Sequence, residues 1–373
     1  MNNRLDNWIH NTFEVTPGGL ALFRIFYALY VLLAIMPGVP PYVDYGFLAD
    51  LPSDLFFPPP GPMMLFGDFP PMTIINQIEF GIIAGLVFIL FGWKTRTASI
   101  VTGLLIIIGN GFSFSMGKIN HDLILPLVPL VMSFSNWGKE WSVDAQGNEA
   151  PVESWPVTLL ALFLGFMMFT AGFPKILGGW LDPGSLATYG HLVNQHYVSE
   201  RTDLLSAFFL TFEHHLFWIA LDYITIIFEI GFLFAIFNAK IFRLFCAFAV
   251  LFHFSVMLML NISFIPNLAA YGLFLFNWNA YAEWFSKSSI RESISDMIQP
   301  FTQTKIVMAL VLVLAFFWYV KSPLVLLNDL YPLSSDLLFY EVVVLTLFVP
   351  VALLRMFQVI RGIVVMQPKN KIV

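Results

Sequence analysis

The sequence predicts an all-α protein: a polytopic transmembrane helix bundle of about ten spans, counted at roughly 20 apolar residues per crossing, with both termini cytoplasmic. Three observations carry that expectation. Of 373 residues, 58% are hydrophobic and only 11% are charged, against about 25% charged in a soluble globular chain. Apolar runs of spanning length recur from one end to the other. The 41 Phe and 10 Trp suit lipid-facing surfaces and interfacial belts. The lipid bilayer is therefore the partner that composition demands. Net charge is −6, which names no further partner because charges sort by membrane side. The absence of a long basic patch argues against nucleic acid. The single Cys246 excludes an intrachain disulfide and a cysteine-based zinc site; it reads as an inert buried thiol.

Residues 1–17 read as an interfacial segment held by Trp8, Ile9 and Phe13, and not as a cleavable signal peptide. Gly18 to Met36 is the first span and carries Arg24. That guanidinium either snorkels to the near surface or is paired inside the bundle. Pro37 to Pro71 is rich in Pro and Gly, with Asp44, Asp50, Asp54 and Asp68 and no Lys or Arg. It is an extramembrane loop, able to act as a lid, and its PPPGP at 58–62 cannot be helical. Residues 73–92, with Glu79, and 97–116 form the next two spans around the turn Trp93-Lys94-Thr95-Arg96. A polar knot, Gly117-Lys118-Ile119-Asn120-His121-Asp122, follows, and then a short span at 123–135 that Pro126 and Pro129 should kink.

Beyond the polar loop 136–154, residues 155–173 form a fifth span leading into AGFPKILGGWLDPGS (171–185), a second knot containing Lys175. Residues 186–212, with His191 and His196, read as a short surface helix. Spans follow at 214–237 (Asp222, Glu229), 242–261 (His253), 267–279, 305–320 and 337–357, with a polar loop at 280–304 and a basic tail. The organisation is thus an N-terminal segment 1–17, a transmembrane domain 18–279, and two further helices with the tail over 280–373.

Lys and Arg in short loops set orientation. Thirteen of them fall on the side shared by the termini and four on the other, with Arg24 inside a span. Lys118 and Lys175 both belong to the four, in Gly-flanked knots on the non-cytoplasmic side. Lysine is a weak base when solvated, but a dry pocket lowers its pKa by up to several units and frees the amine to accept a proton. Lys118 is thus a candidate general base, with Asn120 and His121 to orient it and Lys175 to stabilise developing negative charge. The alternative for the knot is a wet surface turn. His253 is either a hydrogen-bonded core histidine or a ligand contact. Glu79, Asp222 and Glu229 are candidates to pair with Arg24 or His253. His191, His196, His214 and His215 match no strong metal-ligand pattern, so no metal is expected.

Several stretches, in order, resemble the HTTM (horizontally transferred transmembrane) domain, the membrane part of vitamin K-dependent γ-glutamyl carboxylase. They are GLALFRIFYALYVLL (19–33), GWKTRT (92–97), Lys118 to His121 with the apolar segment and WSVD (141–144) after it, AGFPKILGGW (171–180) and FHFSVMLMLNISFIP (252–266). The lysine and histidine of the knot stand three residues closer here than in the animal enzyme. The resemblance implies that Lys118 deprotonates a reduced vitamin K-like quinol, which oxygen then converts into a strongly basic alkoxide, on a face equivalent to the non-cytoplasmic side. It also implies a cofactor of quinol or lipidic type, with His253, Arg24 and Trp180 as its contacts, and a bacterial inner-membrane location. Two readings follow: an enzyme of carboxylase-like or quinone-linked type, or a non-enzymatic factor that helps mature or export a secreted peptide. In the second, loop 37–71 would meet the partner.

Overall fold

The computed structural model describes residues 2–35, 45–117, 121–288, 303–319, 324 and 326–365. The described residues are helical apart from loops and one isolated bridge between Phe57 and Met116. The helices are α1 (Asn2–Asn11), α2 (Pro17–Tyr30, continued by a π-helical turn Val31–Ile35), α3 (Met72–Phe91), α4 (Thr95–Phe114) and α5 (Ile124–Met132). Then come α6 (Trp155–Leu177), α7 (Ala187–Tyr197), α8 (Ser206–Leu210), α9 (His215–Ala235) and α10 (Ala239–Leu260). The last are α11 (Ile265–Leu275), α12 (Trp278–Ser286), α13 (Gln303–Tyr319), α14 (Leu326–Leu330) and α15 (Phe339–Val365).

Seven helical segments among the described residues are long and apolar enough to cross a membrane: α2 with its π turn, α3, α4, α6, α9, α10 and α15. The chain is compatible with an integral membrane protein on that ground. Three further segments expected to cross are shorter. α5 has 9 residues, α11 has 11 and α13 has 17, against about 20 for a full helical crossing. Pro129 removes one donor from inside α5, and a 3-10 turn precedes the helix, yet the segment still runs back along α4. Gly103 faces Leu130 and the Pro126 carbonyl, Trp137 Nε1 donates to Ser99 Oγ at 3.1 Å, and Gly138 faces Thr95. α11 likewise returns along α10, with His253 stacked on Phe264 at 4.3 Å and Phe242 against Phe274 at 4.8 Å.

The chain forms two compact units. The first contains Ile9–Leu160 and Asn277–Leu326. Its helix α2 begins at Thr16, whose hydroxyl accepts the Gly19 N–H at 3.1 Å, with Pro17 in the first turn. Arg24 lies in α2, 0% exposed. Its Nε donates to Trp137 O (3.2 Å) and its Nη1 to Ile89 O (2.5 Å) and Leu90 O (2.8 Å). Its Nη2 donates to Trp141 O (2.6 Å) and Glu140 O (3.5 Å). A guanidinium has five N–H donors, and all are used. Ile89 and Leu90 belong to the last turn of α3, where carbonyls lack helical partners and a cation meets the negative end of the dipole. Of the two alternatives for Arg24, the structure has the interior one, with backbone carbonyls rather than a carboxylate as partners.

Gly92 then turns the chain at φ 67°, and a Cβ there would stand 2.2 Å from Ser142 Cβ and 2.7 Å from Arg24 Nη1. The Asp144 carboxylate accepts from Lys94 N (2.9 Å), Thr95 N (2.6 Å) and Thr95 Oγ1 (2.8 Å), capping α4. The Asp144 N–H donates to Gly92 O at 2.9 Å. The GWKTRT and WSVD stretches are therefore one contact. α12 packs on α2 through Asn279, which accepts the Thr16 N–H at 3.1 Å. Phe13 is buried here rather than set in an interface.

The second unit contains Met1–Trp8, Ala161–Phe276 and Leu327–Val373. Trp8 donates to Ile236 O at 3.2 Å, α15 packs on α10 and α11, and Leu192, Trp218 and Met259 form a small core under α7. In the loop before α8, the Asp203 carboxylate accepts Ser334 N (3.0 Å), Ser334 Oγ (2.8 Å) and Ser335 N (2.7 Å).

Replacing Arg24 with Met orphans several buried carbonyls, at roughly 1–3 kcal/mol each. A marked drop in the thermal midpoint of the detergent-solubilised protein is expected. Arg24→Lys keeps the charge without the planar fork and should recover only part of the loss. A midpoint unchanged in Arg24→Met would remove the guanidinium from the fold's support.

Candidate functional site

Each unit holds a cluster of polar side chains among apolar helices. In the second unit the cluster grows from the end of α6. That helix continues through Pro174 to Leu177, so Lys175 lies in its last turn rather than in an irregular knot. Gly179, at φ 80°, ends it. The Trp180 N–H reaches Lys175 O (3.1 Å) and the Gly179 N–H reaches Ile176 O (3.2 Å), the paired bonds of a Schellman terminus. That motif brings the residue after the glycine back over the residue four before it. Trp180 accordingly covers Lys175, with Nζ 5.1 Å from the ring centroid.

Lys175 Nζ donates to Glu229 Oε1 of α9. Glu229 is 4% exposed, and its Oε2 is buried with no hydrogen-bond partner. Gly172 makes room for this carboxylate, since a Cβ there would meet Glu229 Cβ at 2.8 Å. On the other side of Trp180 stands His191, ring centroids 5.4 Å apart. It is held there by α7, whose first N–H groups are capped by Asp222: Ala187 N at 2.9 Å, Thr188 N at 2.8 Å and Thr188 Oγ1 at 2.6 Å. Partial burial lowers the His191 pKa from the usual 6.5, nearby Lys175 lowers it further, and Asp222 opposes them. The net shift favours the neutral imidazole. His196 is joined to Ser206 at 3.1 Å. The sequence offered Asp222 and Glu229 as partners for Arg24 or His253. The structure gives them to the α7 terminus and to Lys175 instead, because α6 and α7 are the elements packed on their faces of α9.

His253 is buried, with Nε2 3.0 Å from the Tyr271 hydroxyl, and the same hydroxyl lies 3.9 Å from Met168 Sδ. Arg24 has no donor left for a ligand.

In the first unit the cluster lies at the C-terminal end of α4. The Tyr45 N–H donates to Glu79 Oε1 at 3.0 Å and its hydroxyl to Asn110 Oδ1 at 2.8 Å. Asn110 is 5% exposed, and its Nδ2 has no partner. Burial raises the Asp122 carboxyl to about 6. Burial, then Asp122, then Glu79 raise the Tyr45 phenol well above its usual value. The Pro-rich loop covers this end: Phe57 N–H donates to Ser115 O at 2.5 Å, and Phe66 meets Phe112 edge-on at 4.8 Å. Lys118 and Asn120 lie outside the described residues, as does the side chain of His121.

No family model, curated protein or solved structure matches this chain. The chemistry accordingly rests on the residues. Tyr45 and Asn110 were not singled out from the sequence, although a polar Asn inside the apolar run of α4 is itself a signal. The Lys175-x-x-x-Gly179-Trp180 spacing likewise encodes the cation–ring contact.

Two titrations test these assignments. His191 should titrate below 6.5 by NMR of labelled histidine, and Lys175→Gln should raise its pKa; an unshifted value in both proteins overturns the contact. Asp122 is harder to ionise in the folded chain than in the unfolded one. Its contribution to stability therefore falls as pH rises from 3.8 through about 6. Asp122→Asn should raise the thermal midpoint at pH 7.5 and leave it unchanged at pH 3.5. No gain at pH 7.5 would show that the carboxylate is well solvated.

Proposed function

We propose that this integral membrane protein is an enzyme of the HTTM type its motifs resemble, performing lysine-initiated base chemistry with a quinol-type or lipidic cofactor at the non-cytoplasmic face. The observation that carries the reading is the Lys175–Glu229 pair under Trp180. An ammonium there is held by a buried carboxylate that retains an unoccupied acceptor, Oε2, beside an aromatic face and a neutral imidazole. That donor set fits a planar molecule bearing an acidic hydroxyl. Glu229 Oε2 accepts the hydroxyl, Lys175 offsets negative charge growing on oxygen, and Trp180 supplies a ring to stack on. A quinol-type cofactor, when bound, supplies an ionisable hydroxyl on an oxidisable ring. The resemblance assigns the initiating base to Lys118 of the first unit, with Asn120 and His121 to orient it.

The test uses the full chain in detergent with reduced vitamin K as probe, following quinol oxidation in the ultraviolet. Loss of a general base costs about 10²–10⁴-fold, so Lys118→Ala should fall by that range with Lys118→Arg close behind. Full activity in both folded variants removes this lysine from the mechanism. A second reading, a factor for maturation or export of a secreted peptide, is favoured by one observation. The acidic loop presents Phe57, Met64, Leu65 and Phe66 outward, with Leu65 87% exposed. Wild-type protein inert toward the quinol would favour this alternative.

A further inference from the structure

In the first unit, the Pro-rich stretch ahead of α3 carries an apolar projection that the fold does not bury. It is a 3-10 turn, Pro62–Leu65, set between Gly61 and Gly67, both of which face open space. Gly61 has φ 128°, a backbone conformation that suits glycine alone. One side of the turn is fixed to the end of α4. Met63 is buried, and its Sδ stands 2.5 Å from where a Cβ on Gly111 would be. Phe66, just after the turn, meets Phe112 edge-on at 4.8 Å. The other side is bare, with Met64 67% and Leu65 87% exposed.

These contacts set the height of the turn. α4 has 20 residues, about 30 Å at 1.5 Å per residue, which is the thickness of the hydrocarbon core. Gly111 and Phe112 belong to its last turn, within about 5 Å of its end. A segment packed on them lies at the edge of the hydrocarbon. The contacts also set the side. Leu104, Ile107 and Gly111 follow at i, i+3 and i+7 and share one face of α4, on which Leu104 and Ile107 are exposed. An exposed apolar face on a spanning helix faces lipid. Met63 covers the end of that face at Gly111, so Met64 and Leu65 continue it. Met72 and Ile74, at the start of α3 and hence at the same end of the α3–α4 pair, are exposed too.

We infer that the Pro62–Leu65 turn is an interfacial anchor that inserts Met64 and Leu65 among the acyl chains of the leaflet at this end of α4. Apolar side chains on interfacial elements reach about 5–10 Å into the boundary between headgroups and chains. Residues 46–71 hold Asp50, Asp54 and Asp68 and no Lys or Arg, so attraction to anionic headgroups contributes nothing and the partner is lipid hydrocarbon. The anchor ties the loop over Tyr45 and Asn110 to the bilayer surface. It stands independently of any chemistry at Lys118 or Lys175.

The experiment places an environment-sensitive NBD fluorophore on the full-length protein in nanodiscs of dioleoyl phosphatidylcholine. Leu65→Cys and Met64→Cys carry it in separate samples, and Asp54→Cys, at an exposed position of the same stretch, is the aqueous reference. The native thiol, Cys246, is buried, and wild-type protein taken through the labelling serves as the blank. Both reporter positions are exposed, so neither change removes a core contact. The quenchers are phosphatidylcholine bearing a nitroxide on its acyl chain and iodide in the water. Labels at 64 and 65 should emit further to the blue than the label at 54. They should be quenched by the nitroxide lipid and lose most of the iodide quenching seen at 54. Iodide quenching at 64 and 65 as full as at 54 overturns the proposal and leaves the turn open to a soluble peptide partner. Labels shielded from both quenchers overturn it as well, since protein rather than lipid would then cover the turn.

Discussion

A single buried guanidinium organises the first unit. Without Arg24, the last carbonyls of α3 and those of residues 137–141 would be buried without donors. Because one planar group satisfies both sets, the end of α3 and the loop after α5 must meet at one point. That constraint fixes the tight turn at Gly92 and brings Asp144 to the start of α4. The return of the short α5 along α4 then follows, since its C-terminal end is tied to the α3–α4 turn. Burying a charge is tolerable here only because every hydrogen-bonding position is filled.

The second unit solves a different problem. Its charged groups sit at helix ends and between helix faces, where helix geometry supplies partners. Asp222 caps α7, and the terminus of α6 folds Trp180 over Lys175. α7 is in turn seated by Leu192 and by Tyr189 against Trp218. The result is a lysine whose ion-pair partner has one oxygen to spare, set beside an imidazole. Removing water from such a pair strengthens each remaining electrostatic interaction.

Much of this arrangement was legible in the sequence. The α3–α4 turn and the long spans follow from apolar runs and their charged ends. The importance of Arg24, Lys175 and Glu229 follows from the cost of charge in hydrocarbon. Their partners did not follow. Which helix faces α9 is decided by packing between residues far apart in the chain, so Glu229 and Asp222 could not be matched beforehand. The lengths of α5 and α11 were overread for a related reason. Hydropathy marks where a chain is apolar, not how many of those residues are helical. Tyr45 reaches Asn110 across a sequence separation of 65, which no local pattern encodes.

The Asp203 cradle has a consequence for the environment in which the protein works. Burial alone would raise this carboxyl, but hydrogen bonds from Ser334 and Ser335 outweigh it and hold its pKa below the usual 3.8. Its contribution is present above 3.8 and is lost only as acidity passes the lower folded value. The clasp between the loop before α8 and the turn before α15 is therefore insensitive to moderate acidification. Whatever else shifts with proton concentration in this molecule, that fastening stays closed.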